Sequence, residues 1–490
     1  MKKPFVSKSR EHRKDYGVTM ILVALAMVAI IGMAVLSIDV VTLYLAKEEA
    51  QRSADAAALA GARVLSLSGI TGDPTNSSFN WGAICGGTSG VATLTAQAVA
   101  AQNIVGNQAA PTVTVTYSAG TNGTVGTGTS DCTSLSSSAF GVNPMVTVKV
   151  TQAGLPNFFS RLWSRSGNSV SATATAEAFN PSDSGNSGNQ VSGTITPVRP
   201  RCVKPWVVPN LDPLNPLNPP GCGTNCLPFV SSTTGQIQHQ GISLNGTGTG
   251  VIGETFWLVA DCNHGDPNKC TPLGPPQANY PAGSIYTQGP PNLLSLPGQI
   301  TTPVTAIPSC SGGDPYEEAI EGCDAPDNYQ CGVPLANSVD LTKHNPGVNS
   351  ITNAVQCLIH QTDSTNITGS SGQDYLKTSG TFGAPSAYPF QILAGSSNPL
   401  GLSGTPITSS NSIVSLPIYD QIAVPNPPGN ATTPVTFIGF LQVFINAVDG
   451  SGNRLVTVLN VAGCGNGTNT TSTSPVQGSS PVPVRLITAP

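Results

Sequence analysis

Charged residues are scarce in this chain of 490 residues, because 20 Lys and Arg and 25 Asp and Glu make up only 9 % of it. An average soluble domain has roughly 25 %. So few basic residues argue against a nucleic-acid-binding protein, whose phosphate contacts need clustered Lys and Arg. The low charge also argues against a charge-rich disordered chain and against a long coiled coil with charged flanks. The length predicts two or more domains.

Catalytic motifs are missing as well. None of G-x-S-x-G, H-E-x-x-H or G-x-x-x-x-G-K-[ST] occurs, and five histidines leave little capacity for general acid–base chemistry. Gly248-Thr-Gly-Val-Ile-Gly253 matches the dinucleotide-binding pattern G-x-G-x-x-G, but a strand is predicted after it where that site needs a helix, so a turn between strands is the better interpretation. The sequence therefore predicts a protein that is not an enzyme, and it disfavours an envelope hydrolase.

The charges that are present lie unevenly. Residues 1–16 contain six bases and two acids, a net charge of +4, whereas the other 474 residues contain 14 bases and 23 acids, a net charge of −9. Directly after the basic tail comes Val18–Ile38, a run of 21 residues without a charge. About 20 apolar residues cross a bilayer as a helix, and a basic flank stays in the cytoplasm. We therefore predict a single membrane crossing, with residues 1–16 in the cytoplasm and the bulk of the chain outside.

Two other interpretations of the apolar run fit less well. A cleaved signal peptide has an apolar region of ~7–15 residues with a small-x-small site just beyond it. Here the run is longer, and Ala58-Leu59-Ala60 lies about 20 residues past its end. A buried helix of a soluble protein does not explain the basic flank.

The helical pattern continues past the apolar run, so residues 17–67 are expected to form one membrane helix with an extension outside. Two sets of residues repeat every seven positions, three residues apart, which is the spacing of a coiled-coil seam. We call this the helix-packing seam, and it consists of Asp39, Leu43, Ala46, Ala50, Ser53, Ala57, Ala60 and Val64. Its small residues allow close approach of another helix, from a partner or from a second copy of the chain. Packing against the protein's own globular part is the equal alternative.

Four stretches of this helix resemble the N-terminal region of TadG-like proteins, in the TadE/TadG group of the Flp (tight adherence) pilus-assembly system. They are Tyr16-Gly-Val-Thr, Ile38-Asp-Val, Tyr44-Leu and Ser53-Ala-Asp-Ala-Ala-Ala-Leu-Ala-Gly-Ala62. The resemblance covers about residues 15–65. It implies a bacterial envelope protein with one N-terminal membrane helix and a role in assembling or anchoring adhesive pili.

The sequence departs from the pattern in two respects. Many TadG-like proteins carry a von Willebrand A domain whose metal site begins with Asp-x-Ser-x-Ser, and no such motif occurs here; Asp131-Cys-Thr-Ser-Leu and Asp363-Ser-Thr-Asn come nearest. Related pseudopilins are processed after a glycine and carry Glu at the fifth mature position, which is Leu22 if Gly17 is the cut. We therefore expect the helix to be retained.

All twelve cysteines lie beyond the apolar run, and cysteines in an oxidising compartment usually pair. Two precede the linker described below and ten follow it, so each group is even and can close its own bridges. The disulfide candidates are Cys85, Cys132, Cys202, Cys222, Cys226, Cys262, Cys270, Cys310, Cys323, Cys331, Cys357 and Cys464. Local pairs such as Cys222–Cys226 or Cys262–Cys270 are among the options, since connectivity cannot be derived from sequence. A bridged Cys357 is favoured over a thiol nucleophile acting with His360.

The fold class predicted for the exterior is α+β. In residues 68–180, Ala92–Val105 and Leu155–Trp163 are predicted helices, whereas Thr112–Tyr117, Met145–Val150 and Val170–Phe179 alternate as strands do. This order fits a small domain of pilin-like outline with an antiparallel sheet. A Ser/Gly/Asn-rich linker is expected over residues 181–200.

Residues 201–490 are expected to form a β-rich, disulfide-braced domain. Its predicted helices are Pro315–Glu321 and Val348–His360, and a hairpin turn is predicted at Asp449-Gly-Ser-Gly-Asn453. The predicted strands are Val203–Val208, Ile237–Leu244, Thr255–Ala260, Ile413–Ile418, Val435–Val448, Leu455–Val461 and Val484–Thr488.

Metal sites are not expected. The spacings Cys222-Gly-Thr-Asn-Cys226 and Cys262, His264, Cys270 are too irregular for structural zinc. Two groups of oxygen ligands are weak candidates for Ca²⁺. They are Asp314, Glu317, Glu318, Glu321, Asp324 and Asp327, and Asp261, Asn263 and Asp266. An acidic helix N-terminus followed by a polar loop is the favoured explanation of the first group, and no cofactor is predicted.

Together these features predict a single-pass, non-catalytic protein of the bacterial inner membrane that takes part in Flp pilus assembly or anchoring, with its bulk in the periplasm. Its expected partners are the membrane, pilus-assembly proteins or pilins, and no nucleic acid. The alternative is a membrane-anchored surface adhesin.

Overall fold

The computed structural model describes most of the chain. The residues described are 16–72, 74, 81–108, 111–121, 124–156, 167–184, 195–201, 203–212, 227–245, 250–259, 279–281, 283–285, 293–295, 307–308, 310, 315–324, 330–332, 334–340, 348–420, 433–468 and 474–487. The chain forms two compact units. One comprises Met1–Ala54, Ala100–Val113 and Lys149–Thr173, and the other Asp55–Val99, Thr114–Val148 and Ala174–Pro490. The predicted domain boundaries stay predictions.

The architecture is α+β, as predicted, with a long N-terminal helix. The helices are α1 (Tyr16–Leu67), α2 (Trp81–Cys85), α3 (Val91–Gln102), α4 (Ser137–Phe140), α5 (Pro181–Ser184), α6 (Pro315–Glu321) and α7 (Val348–Ile359). Helix α1 has 52 residues and contains no proline, so it is about 78 Å long at ~1.5 Å per residue.

The strands before the predicted linker belong to one sheet. They are β1 (Thr112–Thr121), β2 (Thr124–Val125), β3 (Pro144–Leu155) and β4 (Asn168–Ala178). Sixteen more follow: β5 (Val198–Pro200), β6 (Trp206–Pro209), β7 (Thr255–Val259), β8 (Asn279–Pro281), β9 (Gly283–Ile285), β10 (Leu293–Ser295), β11 (Cys323–Asp324), β12 (Pro334–Asp340), β13 (Tyr375–Leu376), β14 (Ile392–Leu393), β15 (Pro406–Ile407), β16 (Ile413–Tyr419), β17 (Thr433–Val448), β18 (Arg454–Gly463), β19 (Val476–Gly478) and β20 (Val484–Ile487).

The first sheet has the order β2-β1-β3-β4-β20, so a strand from the end of the chain completes it. Strand β20 runs antiparallel to β4, with Val484 opposite Ala178 and Ile487 opposite Thr175. The Arg485 guanidinium pairs with Glu177, which is 1 % exposed.

The largest sheet has the order β12-β9-β6-β16-β17-β18-β7-β8, and β12 also pairs with β17. The pairings β12–β9–β6–β16–β17–β12 therefore close into a ring. Strand β17 connects this ring to the remaining strands β18, β7 and β8, because it pairs with β16 and β12 within the ring and with β18 outside it.

Both faces of β17 are buried, which explains its nearly continuous apolar sequence. Ile438, Val443 and Ile445 join a core with α7 residues Ile351 and Val355. On the opposite face, Phe437 and Phe440 pack with other residues, including Tyr419. The predicted turn is confirmed: Asp449 N donates to Asn453 O at 3.0 Å, and Gly452 has φ +75°.

Two strand predictions differ from the structure. Ile237–Leu244 makes only the isolated bridges Val230–Ile237 and Ile242–Ile252, since Gly241 lies at φ +138° in the middle of the run. In Val203–Val208 the strand begins only at Trp206, because Pro205 lacks the N–H that a ladder needs. The predicted helix Leu155–Trp163 lies mostly outside the described residues, and Leu155 itself ends β3.

Candidate functional site

The N-terminal half of the helix-packing seam is largely buried. Asp39 is 5 % exposed, Ala46 2 %, and Ala50 and Ser53 are fully buried. Leu43 is half-buried. The Ser53 hydroxyl donates to Ala100 O at 3.4 Å, where α3 ends. In this unit, therefore, the small residues of the seam pack against the chain itself.

Polar contacts fix the flanks of the seam. The Gly106 N–H donates to Glu49 Oε2 at 2.6 Å, from a turn in which Gly106 and Asn107 both have positive φ. A Cβ on Gly106 would lie 2.2 Å from Leu155 Cδ2, so Leu155 would have to shift, and the φ of +58° also favours glycine here. On the other side of the helix, the Lys47 ammonium donates to Ser171 O.

In the second unit the helix packs equally closely. Ala57 is fully buried, whereas Ala60 and Val64 are half-buried. Gly61 lies beside the seam, and its missing side chain leaves room for Val146 and Ala96. These contacts favour the alternative in which the seam packs on the protein's own globular part. A contact of the half-buried seam residues with a partner helix stays a prediction.

The first part of α1 contrasts with the seam. Its large apolar side chains from Val18 to Leu45 are mostly exposed by half or more, with Met20 at 79 % and Val28 at 68 %. Among the described residues, α1 is the one helix long and apolar enough to cross a membrane. A continuous exposed apolar surface of this kind marks a site of contact with a membrane or with another protein. The helix is therefore a candidate membrane anchor.

Three disulfides are present among the described side chains. Cys85–Cys132 joins α2 to the turn after β2, Cys310–Cys357 reaches α7, and Cys331–Cys464 joins the chain before β12 to the end of β18. Cys357 is thus bridged, as favoured from the sequence. The other six cysteines lie outside the described side chains, including the candidate local pairs Cys222–Cys226 and Cys262–Cys270, so their pairing stays a prediction.

The carboxylates that resembled metal ligands have local partners. Asp131 Oδ1 accepts from Thr133 N and Oγ1 at 2.9 and 2.7 Å, and these bonds lower its pKa. Asp363 and Thr365 repeat this arrangement. Helix α6 forms as predicted, but Asp314 and Asp327 lie outside the described residues, as do Asp261, Asn263 and Asp266. Within the described part of the chain, no group of three or more His, Cys, Asp or Glu side chains is placed to hold a metal.

Two buried basic residues were not singled out by the sequence analysis. The Lys204 ammonium is 2 % exposed and donates to Ile320 O at 2.7 Å and to Gly322 O at 2.5 Å, at the C-terminus of α6. Arg454 is 1 % exposed and lies over the Trp206 ring, 4.7 Å from its centroid. In the sequence, each of them is a basic residue within or beside an apolar run that forms a strand, and this pattern could have pointed to them. Lys204 stabilises the fold by binding carbonyl oxygens at the end of a helix, and Arg454 does so by packing on an aromatic ring.

A buried pair of acids was also missed. Asp212 is 1 % exposed and Glu254 3 % exposed. Burial raises the pKa of Glu254 well above its usual value, and the neighbouring Asp212 carboxyl adds to the rise through its charge and a hydrogen bond. In its protonated form, Glu254 can donate a hydrogen bond to the Asp212 carboxylate.

Comparison with known proteins gives one match, to the N-terminal segment. Residues 17–64 match the family model of putative Flp pilus-assembly TadE/G-like proteins. This range coincides with the four stretches that resemble TadG-like proteins, and that resemblance is confirmed. No curated protein and no solved structure matches the chain.

Proposed function

We propose that this chain is a single-pass envelope protein that takes part in the assembly or anchoring of Flp pili. The match of residues 17–64 to the TadE/G-like family carries the proposal. It lies on α1, whose exposed apolar side chains fit a lipid environment and whose seam packs on the exterior of the same chain. The function is mechanical and organisational, without catalysis or a cofactor.

The proposed orientation follows from charge and disulfides. The basic tail of residues 1–16 stays in the cytoplasm, and the inner membrane holds α1. The bridges Cys85–Cys132 and Cys331–Cys464 belong to an oxidising compartment, so the exterior lies in the periplasm.

Protease accessibility tests this orientation. In spheroplasts of the source bacterium, protease added outside should degrade the exterior and leave a fragment of residues 1–38 protected. Digestion of the exterior only in inverted membrane vesicles would contradict the orientation.

Cross-linking in living cells tests the partners. Mass spectrometry of species cross-linked to the tagged full chain should identify Flp pilus-assembly proteins or pilins. The control is an unrelated single-pass protein with the same tag, produced at the same level. If both baits give the same partners, the proposed association is wrong.

A further inference from the structure

An apolar groove lies in the second unit, beside the end of α1. Its volume is about 350 Å³, within the range of roughly 300–1,000 Å³ typical of ligand sites. Val64, Leu67 and Ile84 line one wall, and Phe390, Ile392 and Ile407 line the other. None of its described lining residues is charged. The hydroxyl of Ser68, also at the groove, donates back to Leu65 O at 2.8 Å, so it offers no free donor to an occupant. The groove therefore fits an uncharged, apolar group.

A protruding loop starts and ends at the same groove. Residues 398–404, here the tip loop, connect β14 to β15, and both strands line the groove. Leu400 is 75 % exposed and Leu402 is 40 % exposed. They are the exposed large apolar side chains of this loop, and neither fills the groove of its own chain.

Hydrogen bonds hold the tip loop in shape. Leu400 N donates to Asn398 Oδ1 at 3.0 Å, and Gly404 N donates to Ala394 O at 2.8 Å. The Asn398 side chain is held by Asp374 Oδ1, at 3.0 Å. The two leucines are thus presented by an ordered loop, which lowers the entropy cost of inserting them into a partner.

Size and charge both favour a second copy of this chain as the occupant. Removing one buried leucine side chain leaves a cavity on the order of 150 Å³, so two leucines fill a space close to that of the groove. The chain carries no charge from residue 378 to residue 419, whereas its net charge is −5. Two copies repel one another over acidic surface, and these neutral surfaces are where they can approach without repulsion.

We propose that two copies associate by exchanging tip loops, with Leu400 and Leu402 of each copy in the groove of the other. Since the loop and the groove are adjacent on one hairpin, a two-fold axis can satisfy both contacts at once. The exposed α3 residues Val91 and Leu94 extend the apolar surface at the groove, because Val91 also lines it. This inference does not depend on the proposed role in pilus assembly.

Site-specific photo-cross-linking in the membrane tests the exchange. Two full-length copies with different epitope tags are produced together, and one carries the change Leu402→benzoylphenylalanine. Irradiation should give a product that carries both tags, and its cross-linked peptide should contain groove residues such as Ile84 or Ile407. The matched control is Leu486→benzoylphenylalanine, at a leucine that is 41 % exposed on β20, which should give no such product.

Filling the groove of the second copy should lower the yield of the product. Ala83→Phe and Thr408→Trp both add bulk to the lining, and Thr408 is exposed, so the second variant places little demand on the fold. Each should lower the yield of the two-tag product roughly tenfold. The proposal is wrong if position 402 gives no two-tag product, if it links to a different molecule, or if the yield is unchanged by both groove variants.

Discussion

At the residue scale, the buried acid pair makes stability depend on pH. Glu254 has a raised pKa in the folded chain, because burial and Asp212 disfavour its charged form. On unfolding, its pKa returns to about 4.5. The unfolded chain therefore releases a proton that the folded chain holds, and this lowers stability as pH rises above about 4.5.

The change Glu254→Gln should remove this effect. The melting temperature of the variant minus that of the wild type should increase between pH 5 and pH 8, as measured by thermal unfolding at each pH. Glu318→Gln on α6, at a half-buried position, is the control. A difference for Glu254→Gln that stays constant with pH would show that the pair does not act in this way.

Lys204 gives a second prediction at this scale. Lys204→Met removes the donor for Ile320 O and Gly322 O and leaves buried carbonyls without it. We expect the free energy of unfolding to fall by about 3 kcal/mol, in urea titrations. Lys377→Met, at an exposed lysine, should change it by less than about 0.5 kcal/mol. Equal effects of the two changes would contradict the role given to Lys204.

At the element scale, most of the helices and strands that the sequence predicts are present, but eleven of the twenty described strands, nearly all of them short, were not predicted. The helices at residues 315–321 and 348–359, the long strands β17 and β18, and their turn follow from patterns within each segment. The failure at Ile237–Leu244 has a local cause, the positive φ of Gly241. Pairing between distant segments was not predictable, because period-2 alternation shows which face is buried and says nothing about the neighbouring strand.

Strand β20 is the clearest case of such distant pairing. Its partner β4 lies about 300 residues earlier, and the salt bridge Arg485–Glu177 accompanies the pairing. Deleting residues 484–490 should expose the edge of β4 and leave Glu177 without its guanidinium. Hydrogen exchange at Thr175 and Glu177, whose N–H groups face β20, should become at least about tenfold faster, while amides of α7 remain protected. Unchanged exchange at β4 would contradict this role of β20.

For the helix-packing seam, too, the sequence did not predict which surface it contacts. Its spacing predicted a packing surface, but the choice between a partner helix and the protein's own exterior needed the positions of Ala100 and Val146. Gly61→Leu should overpack this contact and lower the free energy of unfolding by about 1–3 kcal/mol, in denaturant titrations of the purified chain. Arg52→Leu, at an exposed position on the same helix, is the control. A stable Gly61→Leu chain would mean that the packing here is loose.

At the scale of the whole molecule, the distribution of the few charges along the chain is more informative than their number. Six of the 20 basic residues precede an exposed apolar helix, whereas the rest of the chain has a net charge of −9 and contains disulfides. The family match falls on the helix and on the seam, where the chain joins the proposed anchor to its exterior. These features support the proposal of an envelope protein that takes part in pilus assembly.

Counting pili after deletion of the gene tests this account most directly. Electron microscopy of the deletion strain should show few or no Flp pili, adherence to surfaces should fall with them, and the wild-type gene should restore both. Normal pili with reduced adherence would identify an adhesin instead. Wild-type numbers of pili together with normal adherence would contradict the account.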